Sequence, residues 1–117
     1  MPLNIETIDD VLIITLPARM DAASISKIEG DFSIAIQQHA GKVLVDMNAV
    51  AFVASLALRL LLFHLKEIKQ VGGDLRLSNL QPQIAEVFRR SRFDTLFTIY
   101  PDRETGLQGF AQGVYGG

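Results

Sequence analysis

The sequence predicts a single α/β domain, a mixed sheet of four to five strands flanked by three to four helices. Three observations predict it. Two runs rich in Leu, Ile, Val and Thr stand on either side of Asp9-Asp10, the composition of paired strands around a tight turn. The apolar run Lys42–Met47 follows only after a helical stretch, the separation that a parallel crossover requires. A length of 117 residues, 49% hydrophobic and 21% charged, suits one globular core.

The elements follow in order. Leu3–Ile8 and Val11–Leu16 make the hairpin. After Pro17, the residues Ile25, Ile28, Phe32, Ala35 and Ile36 share one helical face, with Asp21 as cap and Gly41 as stop. Gly30 inside this helix costs about 1 kcal/mol relative to Ala, which implies a close packing contact or local mobility there. Lys42–Met47 is a strand, and a helix from about Leu56 to Val71 ends at Gly72-Gly73. Asp74–Asn79 alternates, with Leu75 and Leu77 on one side and Arg76 and Ser78 on the other, as a half-buried strand does. Pro82 opens a third helix whose buried stripe is Ile84, Val87 and Phe88. Leu96–Tyr100 is a short last strand, and Asp102 caps a terminal helix carrying Leu107 and Phe110, weakened by Gly106 and Gly109. Residues 113–117 form a flexible tail after a domain over 1–112.

Composition excludes several function classes. A formal net charge of −2 with dispersed basic residues gives no footprint for nucleic acid. The trio Arg89, Arg90 and Arg92 reads as solvated charge at a helix C-terminus. Cysteine is absent, which removes disulfides, thiolate catalysis and Cys-based metal sites. The N-terminus lacks the positive start and apolar run of a secretory signal, so a cytosolic location is expected. Met47–Leu65 is apolar enough to suggest a membrane span, yet it carries Arg59 near its middle, at about 2.5–3.5 kcal/mol for insertion. Its Val- and Phe-rich first part and Leu-rich second part suit strand then helix, and no membrane insertion is expected.

The most informative stretch is Val43 to Arg59: a buried strand, a short loop and the start of an amphipathic helix, with the Ser55 hydroxyl at the join. A serine there lies among unpaired N–H groups at the positive end of the helix dipole, where a phosphate is tolerated. Ser is also among the commonest helix caps, and the local pattern fits that role as well. On a helical wheel Leu58, Leu61, Leu62, Leu65 and Ile68 face the core, while Leu56, Leu60 and Phe63 project from nearly the opposite side. Those three form either a partner-docking patch or a face covered by another part of the chain.

Catalytic chemistry finds little support. Asp21, Asp46, Asp74 and Asp94 fit caps and strand-end turns. His39 and His64 have no companion at ligand spacing, and Gly72-Gly73 follows a helix where a phosphate loop would precede one. No cofactor, metal or intrinsic turnover is expected.

Taken in order, the hairpin, Ala18-Arg-Met-Asp-Ala-Ala-Ser24 leading a helix, Val43-Leu-Val-Asp46, the Ser55 loop, Gly72-Gly-Asp-Leu-Arg-Leu77 and Phe93-Asp-Thr-Leu-Phe97 span nearly the whole chain. This arrangement resembles the STAS domain, and within it the anti-sigma factor antagonists of bacterial partner-switching systems. The resemblance implies a STAS-like fold and a switch: the unmodified protein binds an anti-sigma factor serine kinase, phosphorylation at Ser55 releases it, and a PP2C-type phosphatase resets it. It implies a partner-binding surface of Ala54, Ser55, Leu56, Ala57, Arg59, Leu60, Phe63 and Asp21. Apart from the resemblance, a homodimer through Leu56, Leu60 and Phe63 is a further alternative. The chain departs from the family at Ala54, where Asp is usual before the serine, at Ala57, where Gly is usual, and at Arg92, where Gly is common. The missing carboxylate points toward slow or absent phosphorylation, and so toward a second reading, a constitutive STAS interaction subunit such as that of a lipid transporter. Ala57 should favour the helix and add a methyl to the contact surface.

Overall fold

The computed structural model describes residues 3–39 and 41–112; the tail expected over 113–117 lies outside the described residues. Strands β1 (Asn4–Ile8) and β2 (Val11–Thr15) form the antiparallel hairpin, with Ile8 opposite Val11. Asp9 and Asp10 both adopt left-handed backbone, φ 50 and 61, which a two-residue turn matched to strand twist requires and Asp tolerates better than most residues.

The chain then forms a two-residue strand β3 (Arg19–Met20) and helix α1 (Ala22–His39). Asp21 Oδ1 accepts the Ser24 N–H at 3.0 Å, the expected cap, and Ile25, Ile28, Phe32 and Ile36 are buried. Gly30 has no packing reason within the described residues: a Cβ added there meets nothing within 4 Å.

Strand β4 (Lys42–Asp46) lies parallel to β2, and β5 (Phe52–Val53) pairs parallel with β3, a small second sheet that the sequence did not predict. Helix α2 (Ser55–Lys69) leads through Gly72, φ 86, to β6 (Asp74–Ser78). Helix α3 (Pro82–Arg90), a 3-10 turn (Phe93–Thr95), β7 (Ile99–Tyr100) and α4 (Arg103–Ala111) complete the described residues. The larger sheet has five strands in the order β1-β2-β4-β6-β7, with β1 antiparallel and the rest parallel. The Met47–Leu65 stretch therefore divides between loop, β5 and α2, and no helix among the described residues is long and apolar enough to cross a membrane.

Two cores flank the sheet. Val43, Val45, Leu75 and Leu77 meet α1, α2 and α3 on one face; Val11, Ile13 and Leu44 meet Phe110 of α4 on the other. The second core corrects the expected half-buried strand, since all five residues of β6 are buried. Arg76 keeps its charge under α4 by donating to Asp74 Oδ2 and to the Tyr100 hydroxyl, each at 2.9 Å, and by lying 4.1 Å from the centroid of the Phe110 ring. Gly106 and Gly109 allow that cover: a Cβ at Gly106 would come within 2.9 Å of Leu44, and one at Gly109 would collide with the Tyr100 ring and hydroxyl.

Two further expectations are corrected. Val87 is 36% exposed, because the short α3 presents only Ile84 and Phe88 to the core. Leu96 is exposed and precedes the last strand, since the 3-10 turn takes up the chain and only Ile99 and Tyr100 reach β6. Arg92 holds a left-handed conformation, φ 67, in the turn after α3, a backbone region that favours Gly. At that helix end Arg89 and Arg90 pair with Glu86, whose carboxyl they hold below its usual range, Arg89 foremost.

Candidate functional site

The loop between β4 and α2 is fixed at both ends. At its start Asp46 Oδ1 accepts the Asn48 N–H at 2.9 Å while Asp46 Oδ2 accepts from Arg103 of α4 at 3.0 Å. Gln81 Nε2 donates to the Asn48 carbonyl at 2.8 Å. At its end the Ala51 N–H donates to the Ala18 carbonyl at 2.8 Å and the Ala54 N–H to the Met20 carbonyl at 2.9 Å. The β3–β5 pair thus holds the chain immediately ahead of Ser55. Arg103 and Gln81 escape sequence reasoning because each acts on a loop remote in the chain; the only local signal was Asp46 at a strand end.

Ser55 is exposed and is the first residue of α2. Its role as a plain cap is corrected: the cap position belongs to Ala54, φ −85 and ψ 162, whose methyl accepts nothing. The N–H groups of Ser55 and Leu56 open the helix and have no acceptor within it. By contrast α1 and α4 are closed by aspartates, with Asp102 Oδ1 accepting the Thr105 N–H at 2.7 Å.

Leu56 (47%) and Phe63 (60%) are exposed beside Ser55, Leu60 is half-buried, and Arg59 stands exposed one turn after the serine. These side chains form one wall of a groove of about 470 Å³, with Ile25, Gly30 and Ser33 of α1 opposite. Its lining includes the buried His64, whose Nδ1 lies 3.2 Å from Glu67 Oε1 and whose ring contacts Phe32 and Phe63. No described residue covers Leu56 or Phe63 as a core neighbour would. On the other side, Phe52 is 42% exposed under the Arg19 guanidinium.

The sequence-predicted surface is therefore largely assembled, with one correction: Ala57 is 1% exposed and packs in the core, so its methyl adds nothing to the contact surface. Asp21 sits alongside Ala54 because Met20 pairs with Val53. Its carboxyl is held below the usual range by the Ser24 N–H and then by Arg19, 3.2 Å away. Asp46 and Asp74 are taken up by backbone and arginine partners. Among the described residues no three His, Asp or Glu side chains gather as a metal site.

This arrangement has relatives. The STAS domain model matches residues 2–106. A protein of Bordetella bronchiseptica named as an anti-sigma factor antagonist, BtrV, is 29% identical over 110 residues, covering 94% of this chain and 95% of that protein. An anti-sigma factor antagonist (STAS) domain protein from Planctomyces limnophilus superimposes with a TM-score of 0.86 at 25% identity, over 95% of this chain and 99% of that one. SpoIIAA shares the fold in its unphosphorylated form, with a TM-score of 0.79 at 21% identity over 96% and 97% of the two chains. So does the phosphorylated form from Bacillus, with a TM-score of 0.71 at 22% over 92% and 98%. With the family model spanning most of the chain, the chain belongs to the STAS domain family, beside proteins named as anti-sigma factor antagonists.

Proposed function

We propose that this chain is an anti-sigma factor antagonist of a partner-switching system. Unmodified, it binds an anti-sigma factor serine kinase through Ser55, Leu56, Arg59, Leu60 and Phe63. Phosphorylation at Ser55 releases it, and a PP2C-type phosphatase restores the hydroxyl. The chain is substrate and binding module, with ATP chemistry supplied by the partner and no turnover of its own. Such a system operates in the cytosol.

The observation that carries the reading is the exposed Ser55 at an uncapped helix N-terminus, contiguous with exposed Leu56 and Phe63. A phosphate adds about −1.5 to −2 charge there, and the helix dipole accommodates it without unfolding. A partner resting on the neighbouring apolar surface would have to desolvate or pair that charge. At about 3 kcal/mol this lowers affinity more than a hundredfold, enough to exchange partners on an unchanged fold.

The test is the intact mass after incubation with the kinase and ATP. One phosphate on the native chain and none on Ser55→Ala is the expected result. A phosphate on both would move the site to Ser24 or Ser26, since Ser78 is fully buried. No phosphate on either, with binding retained, would favour the constitutive interaction subunit that Ala54 brings to mind.

A further inference from the structure

We infer that the α1–α2 groove is the contact surface of a homodimer, in which Phe63 of each copy enters the gap left by Gly30 of the other and Glu29 pairs reciprocally with Arg59. The inference goes beyond the phosphorylation switch and does not depend on it.

Gly30 raises the question. It interrupts a helix, lies exposed in the groove wall, and leaves open space where a Cβ would point. Nothing in the monomer uses that space. A missing side chain on a helix surface suits the close approach of another backbone or a large side chain. The same groove presents large apolar groups on its other wall, Leu56 and Phe63. It therefore offers both a projection and a recess. It also offers both charges: Glu29 and Arg59 line it, and among the described residues neither has an ion-pair partner.

Helix direction makes these features self-complementary. Both α1 and α2 return to the start of the next parallel strand, so they run side by side in one direction. The Phe32 and His64 rings, 5.0 Å apart, set those two positions at similar height, as does the groove that Glu29 and Gly30 share with Arg59 and Phe63. By that offset Gly30 lies within about one turn of Phe63 along the helices, and Glu29 within about one turn of Arg59. A two-fold axis parallel to the helices exchanges the walls while preserving height. It sets α2 of one copy on α1 of the other, bringing Phe63 over Gly30 and Arg59 beside Glu29 twice. The Glu29 and Arg59 charges of the two copies then alternate in sign around the axis, which is the argument for a second copy as occupant.

The groove spans only about two turns of each helix, a small contact, so weak association on the order of 10–100 µM is expected. The dimer covers Leu56 and Phe63 and would compete with any other partner for them.

Sedimentation of the purified chain alone across that range tests the inference without kinase or phosphate. Concentration-dependent dimerisation is expected, weakened about tenfold or more by Glu29→Arg and by Arg59→Glu, and restored to within about threefold by the double exchange. Gly30→Leu is expected to fold, checked by circular dichroism, and to abolish association, since the monomer has room for the side chain and the dimer does not. A chain monomeric throughout, a double exchange without recovery, or dimerisation unaffected by Gly30→Leu would overturn the inference. So would a monomeric chain in which Gly30→Leu abolishes kinase binding, which would give the groove to the kinase. Failure of phosphorylation at Ser55 would leave the sedimentation result untouched.

Discussion

Ala54 immediately precedes Ser55 and sets the local environment of its hydroxyl. It occupies the helix cap position with a side chain that accepts no hydrogen bond, so α2 begins with open donors. Ala54→Asp is expected to raise the stability of the chain by about 1 kcal/mol in urea unfolding, by capping α2. The added carboxylate would also place a like charge beside a phosphate at Ser55. Arg92 bears the opposite kind of local cost, a left-handed conformation held by a residue with a Cβ. Arg92→Gly is expected to stabilise by about 1 kcal/mol, and an unchanged midpoint would show the turn to be unstrained. The capping aspartates set a pH dependence whose direction follows from their partners. The Ser24 N–H, then Arg19, lower the Asp21 pKa, and the Thr105 N–H lowers that of Asp102. Because the folded-state values are depressed, both contributions are complete above about pH 4 and are lost as pH falls through those lowered values. Urea midpoints measured downward from neutral pH should drop in that window, and less steeply for Asp21→Asn combined with Asp102→Asn.

Among the elements, α4 decides how the sheet is completed. It lies close enough to cover β6 only because Gly106 and Gly109 carry no Cβ against Leu44 and Tyr100. Gly109→Ala is expected to destabilise by about 1–3 kcal/mol despite its better helix propensity, and the same unfolding measurement reads the sign. This packing explains why the sequence misled at β6. Alternation of Leu75 and Leu77 with Arg76 and Ser78 signals a wet face, but Arg76 is buried with Asp74 and Tyr100 supplying its bonds. The hairpin, α1 and the core face of α2 were legible because each repeats its apolar period over several turns or pairs. The β3–β5 pair was not, since two residues per strand carry no period and the pairing joins segments more than a helix apart. At the site, the exposed Leu56 and Phe63 followed from the helical wheel, whereas Arg103 and Gln81 depend on tertiary contact alone. Ala57 was misplaced because a single small residue beside a capping position weighs little in an apolar pattern, and the first turn dips toward the core there.

At the scale of the whole molecule, the STAS fold presents a packed frame with Ser55 exposed on its surface. The sheet and both cores lie behind the serine loop, and that loop is fastened through Asp46, Arg103, Gln81 and the β3–β5 pair. A charge added at Ser55 is therefore expected to act on what docks there and to leave the frame unaltered. Far-ultraviolet circular dichroism and the unfolding midpoint should change little between phosphorylated and unphosphorylated chains. The most direct test is a calorimetric titration of the anti-sigma factor kinase with each form. A dissociation constant more than about a hundredfold weaker is expected for the form phosphorylated at Ser55. Equal affinity for the two forms, with Ser55 fully phosphorylated by mass, would contradict it.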